Sequence, residues 1–545
     1  MKIAIPDLSL VLLIGPTSCG KSSFARTHFR PTEVLSSDAF RAMVSDDENN
    51  QSVSKDAFEV LHTVALKRLT LGKLTVIDAT NIQAEARKPL LEVAARTHVL
   101  SVAIVFDLPE RVLLDRHRSR PDRPFSEKVI RSHTQQLRQS QRSLEREGFR
   151  RIFTLRTEAE VAGVEVVREP LWNDRRGVRG PFDIIGDIHG CYDELVALLT
   201  KLGYAVAADG SVEPPPGRTA VFLGDLVDRG PAVPAVLRLV MGMVEAGSAF
   251  CVAGNHEAKL IRKLRGRNVQ VTHGLAASLE QLEQESPEFK ARVLLFLDSL
   301  ISHYVFDGGG LVVAHAGLIE SMHGRSSGKV RDFCLYGETS GEIDEYGLPV
   351  RHNWAASYRG RATVVYGHTP VPAPEWLNGT INIDTGCVFG GRLTALRYPE
   401  RELVSVPAER VYVEPVRPLN PPTQPALGLT GQQREDALLD LAGVLGKRVI
   451  ETKLMGNVLI REENAAAALE VMSRFGANPK WLVYLPPTMS PSETSQQPGF
   501  LEHPEEAFAH YRARGVERVL CEEKHMGSRA VVVLCREESA ARRRF

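Results

Sequence analysis

Five short polar motifs in the middle of the chain carry residue types that bind divalent metals through oxygen and imidazole. They are Gly186-Asp187-Ile188-His189-Gly190, Gly224-Asp225 with Asp228-Arg229-Gly230, Gly254-Asn255-His256-Glu257, Val313-Ala314-His315-Ala316-Gly317, and Tyr366-Gly367-His368-Thr369. No thiolate belongs to the set, which suits Mn²⁺, Fe, Ni²⁺ or Zn²⁺ in catalysis better than a structural zinc. Asp187 and His189 are assigned to one ion, Asp225 to a bridging position, and Asn255, His315 and His368 to a second ion. A carboxylate shared by two ions lets them activate water at neutral pH and clamp a phosphate for in-line attack. His256 adjoins a ligand and can protonate a leaving oxygen, Arg229 can fork onto a phosphate oxygen, and Asp384 can orient a ligand or a water. One such histidine alone reads as an ordinary strand-end residue. Five motifs in this order read as a two-metal phosphoesterase centre.

A second chemistry-bearing stretch lies near the N-terminus. Gly15-Pro16-Thr17-Ser18-Cys19-Gly20-Lys21-Ser22-Ser23 fits the phosphate-cradling loop G-x-x-x-x-G-K-[ST]. Gly15 and Gly20 let backbone N–H groups turn around a β-phosphate, Lys21 reaches the β and γ oxygens, and Ser22, with Ser23 beside it, can hold Mg²⁺. Asp38 sits where a base could take the proton of an acceptor hydroxyl, though a helix N-cap is an equal reading of it. Arg41 is a candidate contact to an acceptor phosphate, and Asp78 a candidate support for Mg²⁺. Arg116, Arg120 and Arg123 crowd toward Pro121-Asp122-Arg123-Pro124, as in a lid over transferring phosphate or on a solvated basic face.

Positioning these groups calls for buried strands that end where the motifs begin. Apolar runs supply them: Ser9 to Ile14, Glu33 to Ser36, Leu74 to Asp78 and Val102 to Phe106 in the first region. In the second they are Phe182 to Ile185, Ala220 to Leu223, Leu311 to Val313 and Thr363 to Val365. At 545 residues the chain exceeds one core, and roughly three domains are expected. The boundaries read as 1–170, 180–405, a Pro-rich connector 406–430, and 431–545. Net charge is +0, so any nucleic-acid binding must come from local patches. Seven cysteines form no C-x-x-C pair, which points away from a zinc ribbon or disulfide framework. Neither a signal peptide nor a long apolar run is apparent, so the expectation is a reduced cytoplasmic enzyme with no membrane span.

After the connector, Gln432 to Leu445 and Asn464 to Phe475 read as amphipathic helices. Lys524-His525-Met526-Gly527 then lies between the strand-like runs Val519–Cys521 and Ala530–Leu534. This resembles the nucleophile motif of the RNA and DNA ligases, in which a lysine forms a lysyl-AMP, and it implies that role for Lys524. The ligase motifs that follow are not found before Phe545, so a complete ligase is not expected.

The first region resembles a polynucleotide 5′-kinase through its phosphate loop, Ser37-Asp38-x-x-Arg41, Asp78-Ala79-Thr80-Asn81 and the arginine lid. The second resembles the calcineurin-like binuclear metallophosphoesterases. Its Gly-Asp-Leu-Val-Asp-Arg-Gly element is closest to the serine/threonine-phosphatase and bis-nucleoside-tetraphosphatase branch. Kinase, phosphatase and ligase motif in that order resemble the bacterial polynucleotide kinase-phosphatase-ligase of RNA repair. The fold class implied is multidomain α/β: a P-loop NTPase kinase domain, an α/β/β/α metallophosphoesterase sandwich and an incomplete nucleotidyltransferase domain. The resemblance also implies ATP and Mg²⁺ for the kinase, two divalent ions such as Mn²⁺ for the phosphatase, and broken RNA ends, tRNA among them, as substrate. A methyltransferase acting on RNA 3′ ends is an implied partner, and homodimerisation stays open. Two other classes stay open as well. One is a small-molecule kinase fused to a bis(5′-nucleosyl)-tetraphosphatase or protein-phosphatase-like hydrolase; the other is a binding module switched by ATP.

Overall fold

The computed structural model describes residues 1–119, 126–272, 274–417, 430–438, 441, 444–452, 455–475, 494–523, 534 and 538. Contacts group the chain into two compact units, residues 1–424 and 425–545.

In the first unit, Leu10 to Ile14 are fully buried, as a central strand covered on both faces requires. This strand, β2 (Ser9–Ile14), follows β1 (Lys2–Pro6) and precedes β3 (Val34–Ser36), β4 (Thr75–Asp78), β5 (Leu100–Phe106), β6 (Arg151–Leu155) and β7 (Glu165–Glu169). Five of them form a parallel sheet in the order β3-β4-β2-β5-β6. All their C-terminal ends therefore meet one edge, where α/β folds bind ligands. Helices α1 (Lys21–His28) and α5 (Glu110–Arg118) bury Phe24 and Leu113 against Val11 and Leu13 on one face. On the other, α3 (Ser54–Thr70) and α4 (Ala84–Arg96) bury Leu61, Ala65 and Leu90 against Leu10 and Leu12. Strand β1, which the sequence pattern does not announce, pairs in parallel with β7 outside this sheet.

Two sheets follow, packed face to face. One has five strands, in the order Ala249–Cys251, Thr219–Phe222, Phe182–Ile185, Arg392–Tyr398, Glu402–Pro407. The other has six: Trp376–Leu377, Thr380–Asn382, Thr363–Tyr366, Leu311–Ala314, His303–Phe306 and Asp174–Arg175. Side chains alternate across a strand. Phe182, Ile184 and Val221 accordingly meet Leu311, Val313, Val365 and Ile381 between the sheets. Ile185, Ala220 and Phe222 face outward onto helices Tyr192–Leu202 and Val233–Glu245. Helix Gly328–Tyr336 and Trp354 cover the other outer face. The result is an α/β/β/α sandwich whose inner strands run parallel: Ile185 pairs with Phe222 and Phe222 with Cys251, while Val313 pairs with Val365 and Val365 with Ile381.

The P-loop domain and the sandwich are joined through one loop. Arg325 donates to the carbonyls of Leu69 (3.1 Å), Thr70 (2.8 Å) and Thr97 (2.7 Å), where α3 and α4 end. A guanidinium there satisfies carbonyls left over at both helix C-termini and complements their dipoles. The Ser326 N–H reaches His98 O (3.1 Å), and Ser327 Oγ lies 3.1 Å from His98 Nδ1. Arg325→Ala should remove about 2 kcal/mol of docking energy. The expected result is faster proteolysis around Leu71–Lys73, with both domains keeping their own melting transitions; an unchanged cleavage rate would contradict it.

In the second unit a hairpin, Arg448–Thr452 with Gly456–Ile460, precedes helix Glu462–Phe475, and Pro504–Ala513 is also helical. Of the helix expected over 432–445, the described residues form Gly431–Ala437, which ends where Leu438 turns extended (φ −85°, ψ 137°). Val519–Cys521, expected to be a strand, has no regular structure. Lys524 and the run Ala530–Val533 lie outside the described residues, as do Arg120 and Arg123.

Candidate metal centre and phosphate loop

Parallel pairing brings the polar motifs of the sandwich to one edge. Asp187 and His189 follow strand Phe182–Ile185, Asp225 follows Thr219–Phe222, and Asn255 opens helix Asn255–Leu264. His315, His368 and Asp384 follow Leu311–Ala314, Thr363–Tyr366 and Thr380–Asn382. The backbone is strained to present them: His189 (φ 48°), Asp225 (46°), Asp228 (71°), Arg229 (70°) and His368 (74°) all occupy the left-handed region. Gly254 and Gly367 make room, since a Cβ on either would lie 2.2 Å from Asp225 Oδ1 or Asp187 Oδ1.

Asp225 is the hub. Its Oδ2 lies 3.5 Å from His189 Nε2, 3.4 Å from His315 Nε2 and 3.9 Å from His256 Nε2. Two ligand clusters share it, the buried His189–Asp225–His256 and Asp225–His315–His368, in which His368 is half-buried. Asn255 Oδ1 is 2.9 Å and His368 Nδ1 3.0 Å from the same His315 nitrogen. Asp187 joins through Oδ2, which accepts the His368 N–H at 3.0 Å, while Asp187 Oδ1 and His368 Nε2 are buried without partners. Backbone carbonyls fix the rings: His189 Nδ1 faces Val227 O and His315 Nδ1 faces Leu223 O, each at 2.9 Å.

The electrostatics have one reading. Burial, with Asp384 and Asp225 nearby, pushes Asp187 well above the usual carboxylate range. Burial drives His189 and His368 well down, helped by Arg229 for the first and by His315 and Arg351 for the second. Burial also raises Asp384, to about 6. Imidazoles driven toward their neutral form beside the raised carboxyls of Asp187 and Asp384 make a pocket short of positive charge. Divalent cations fit it, and the two ligand clusters, which take in His256 beside His189 and Asp225, are where they would be held.

Sequence reasoning overlooked the scaffold of this site. Asp228 Oδ2 is 2.6 Å from His256 Nδ1, and Ser278 Oγ donates to Asp228 Oδ1 at 2.6 Å. Glu257 accepts the N–H groups of Asp225, Leu226 and Gly254 at 2.7–2.8 Å, clamping the bridging loop to the next motif. Asp228 and Glu257 stood inside the quoted motifs, so a search for paired carboxylates could have found them; Ser278 carries no such signal. Arg351, on the hairpin strand Pro349–Arg351, donates to Thr369 Oγ1 at 3.0 Å beside His368. Arg229 contacts His189 Nε2 and lies over the Phe389 ring.

In the P-loop domain, Lys21 Nζ is folded onto its own loop, 2.8 Å from both Gly15 O and Pro16 O. Gly20 takes φ 97° at the start of α1, and Arg116 donates to Cys19 O (3.0 Å) and pairs with Glu158 (2.7 Å). Ser22 and Ser23 occupy the first turn of α1. Asp78 pairs in register with Leu13 and Ser36, so it lies between the loop and the start of α2 (Ser37–Ser45). There Asp38 and Arg41 form an ion pair, and Arg41 Nε also donates to Glu48 O at 2.8 Å. Asn81 ties this edge together through Leu13 O (2.9 Å), held in turn by the buried Arg87–Glu147 pair (2.6 Å).

Three family models match in chain order: "AAA domain" over residues 10–146, "Calcineurin-like phosphoesterase" over 180–402, and "PNKP adenylyltransferase domain, ligase domain" over 467–545. The bis(5′-nucleosyl)-tetraphosphatase PrpE of Anoxybacillus flavithermus is 49% identical over 244 residues, covering 44% of this chain and 99% of that protein. PrpE of Bacillus subtilis is 48% identical over 237 residues, 43% of this chain and 97% of that one. A Saccharomyces cerevisiae serine/threonine phosphatase structure with similarity to human PP5 aligns at 14% identity over 44% of this chain and 83% of that chain, TM-score 0.32. The chain belongs to the calcineurin-like phosphoesterases. Its order of kinase-like P-loop domain, phosphoesterase and PNKP ligase domain is the polynucleotide kinase-phosphatase-ligase architecture. The chain is therefore an enzyme of phosphoryl transfer and phosphoester hydrolysis, and its family implies nucleotide with Mg²⁺ in one domain and divalent metals in the other. No helix of the described residues is long and apolar enough to cross a membrane.

Proposed function

We propose that this chain heals broken RNA ends in the cytoplasm. The first domain phosphorylates a polynucleotide 5′-OH from ATP·Mg²⁺, and the second removes a 2′,3′-cyclic or 3′-phosphate. The observation that carries the reading is the domain order, a phosphoesterase beside both a kinase-like domain and a PNKP ligase domain, which supports two end-processing activities in one chain. Broken tRNA, a 3′-end methyltransferase partner and a homodimer belong to the same proposal, as does Lys524 as the adenylylated lysine.

In the second domain, Asp187, His189, Asp225, Asn255, His315 and His368 hold two divalent ions, Mn²⁺ being our choice. Bound there, the ions supply activation of water and charge compensation on the phosphate. Arg229, and Arg351 at the rim, grip phosphate oxygens, and Asp384 orients the ligand shell through Asp187. His256 gives its proton to the leaving oxygen. Asp228 fixes its ring through Nδ1, leaving Nε2 to face the centre. His256→Ala should keep both ions yet lose on the order of 10²-fold in rate on RNA 3′-phosphate, and far less on an aryl ester whose leaving group needs no proton. Loss of metal in that variant would make His256 a ligand instead.

In the first domain, Lys21 exchanges the carbonyls of Gly15 and Pro16 for the β and γ oxygens of ATP. Ser22 and Asp78 support Mg²⁺, with Ser23 beside them. Asp38, held by Arg41, takes the proton of the 5′-OH, and Arg41 reaches the acceptor phosphate. Arg116, with Arg120 and Arg123 in the lid segment, offsets charge on the transferred group.

A second reading is favoured by one observation: relatives covered over nearly their full length are named bis(5′-nucleosyl)-tetraphosphatases. In it, the second domain hydrolyses dinucleoside tetraphosphate. Competition between that compound and a 3′-phosphorylated RNA oligomer decides between them. End healing predicts the higher kcat/KM on RNA, with strong salt dependence from its backbone charge.

A further inference from the structure

One buried cluster in the sandwich domain shares no residue with the nitrogen and oxygen centre. Cys191, Glu194 and Cys387 each offer a ligand atom, and the three atoms lie within 4.8 Å of one another. All are closed off from solvent, at 0%, 2% and 2% exposure. Cys191 caps helix Tyr192–Leu202, two residues after His189, while Cys387 opens the turn Cys387–Phe389, three after Asp384. Glu194 Oε1 is satisfied by Tyr412 OH (2.8 Å) and the Glu409 N–H (3.0 Å). Glu194 Oε2 is buried with no partner, and among the described residues no cationic side chain pairs with Glu194. A buried carboxylate oxygen without donor or counter-charge is costly, and this carboxylate stands within that span of two thiols.

We propose that Cys191, Glu194 and Cys387 bind a single zinc ion, separate from the catalytic pair. Two thiolates with one carboxylate suit zinc(II) better than magnesium, calcium or manganese. Tetrahedral Zn–S bonds of about 2.3 Å put two sulfurs roughly 3.8 Å apart, inside the span observed. Binding is an exchange without redox change: each thiol releases a proton to solvent, and Glu194 Oε2 gains a cation. One position remains, for a water. A Cys191–Cys387 disulfide would use the sulfurs but leave Glu194 Oε2 stranded, so zinc accounts for all three groups. The ion would fasten the segment behind His189 to the turn behind Asp384. Through Tyr412 it would also fasten both to the chain leaving the domain, where the Tyr412 and Val413 N–H groups already reach Val388 O at 3.1 Å.

Cobalt(II) tests this in the full-length chain, because thiolate-to-cobalt charge transfer absorbs in the near ultraviolet and a nitrogen and oxygen centre does not. The cobalt-loaded protein should show that band and bind one zinc equivalent more than Cys191→Ser/Cys387→Ser. Glu194→Gln should keep both thiols and weaken the band, while hydrolysis of an aryl phosphate by the metal-loaded chain persists. Hydrolysis of an aryl phosphate by the same variants reads the catalytic centre, so loss of the near-ultraviolet band does not imply loss of that centre. If the double variant fails to fold, the wild-type spectrum and metal content still decide. Absence of the near-ultraviolet band in folded wild type would overturn the site, as would a mass lower by two hydrogens from a disulfide.

Discussion

Replacing Asp225 by alanine should empty the phosphoesterase of both ions and abolish hydrolysis, with 5′-phosphorylation untouched. Its Oδ2 sits among His189, His315 and His256, and its Oδ1 accepts the His256 N–H at 3.1 Å. Burial alone would raise its pKa, but the surrounding imidazoles of His315, His256, His189 and His368 outweigh that and hold the carboxyl well below the usual range. No other residue in the centre has an oxygen central to both clusters. Without it, neutral imidazoles and Asp187 would have to hold two like charges apart. The loss should exceed roughly 10³-fold, on the order of 4 kcal/mol of transition-state stabilisation. Asp225→Asn separates charge from fold: its amide oxygen still accepts from His256, so the domain should keep its melting transition while metal content falls. Full metal content in either variant would remove Asp225 from the bridging position.

The second large effect belongs to the other active site. Lys21→Ala should cut 5′-phosphorylation on the order of 10³-fold, because the one cation that bonds the loop carbonyls of Gly15 and Pro16 among the described residues is lost. Asp38→Ala should abolish transfer while ATP still binds, since Asp38 lies on α2 beyond β3 and not on the loop. The Arg41 it leaves behind remains tethered to Glu48 O. Neither substitution should alter phosphatase rates, because the domains meet through Arg325 and His98, away from both clusters. Ser36, not Asp38, is the N-cap of α2, so near-normal transfer by Asp38→Ala would leave Asp38 only as the first-turn partner of Arg41.

Much of this was legible because buried parallel strands announce themselves. Leu10–Ile14, Val34–Leu35 and Ile184–Ile185 are apolar runs followed by Gly15, Ser36 and Gly186, and the structure ends its strands at or just before those residues. Motif order then implies that the ligands share an edge. What escaped was whatever depends on packing at long range. Arg325 meets α3 and α4 across more than 200 residues of chain, and Ser278 supports Asp228 from a helix with no motif of its own. Cys191 and Cys387 are nearly as far apart in sequence, so spacing rules for zinc pass over them. The second unit shows the converse: amphipathic spacing over 432–445 suggested one helix, and the chain turns extended at Leu438.

The most direct test is one RNA oligomer carrying a 5′-OH and a 3′-phosphate, incubated with γ-labelled ATP, Mg²⁺ and Mn²⁺, with both ends read from each molecule. Wild type should label the 5′ end and clear the 3′ end. Asp225→Ala should only label, and Lys21→Ala should only clear. Turnover of dinucleoside tetraphosphate with both RNA ends left unchanged would contradict end healing and establish the nucleotide hydrolase in its place.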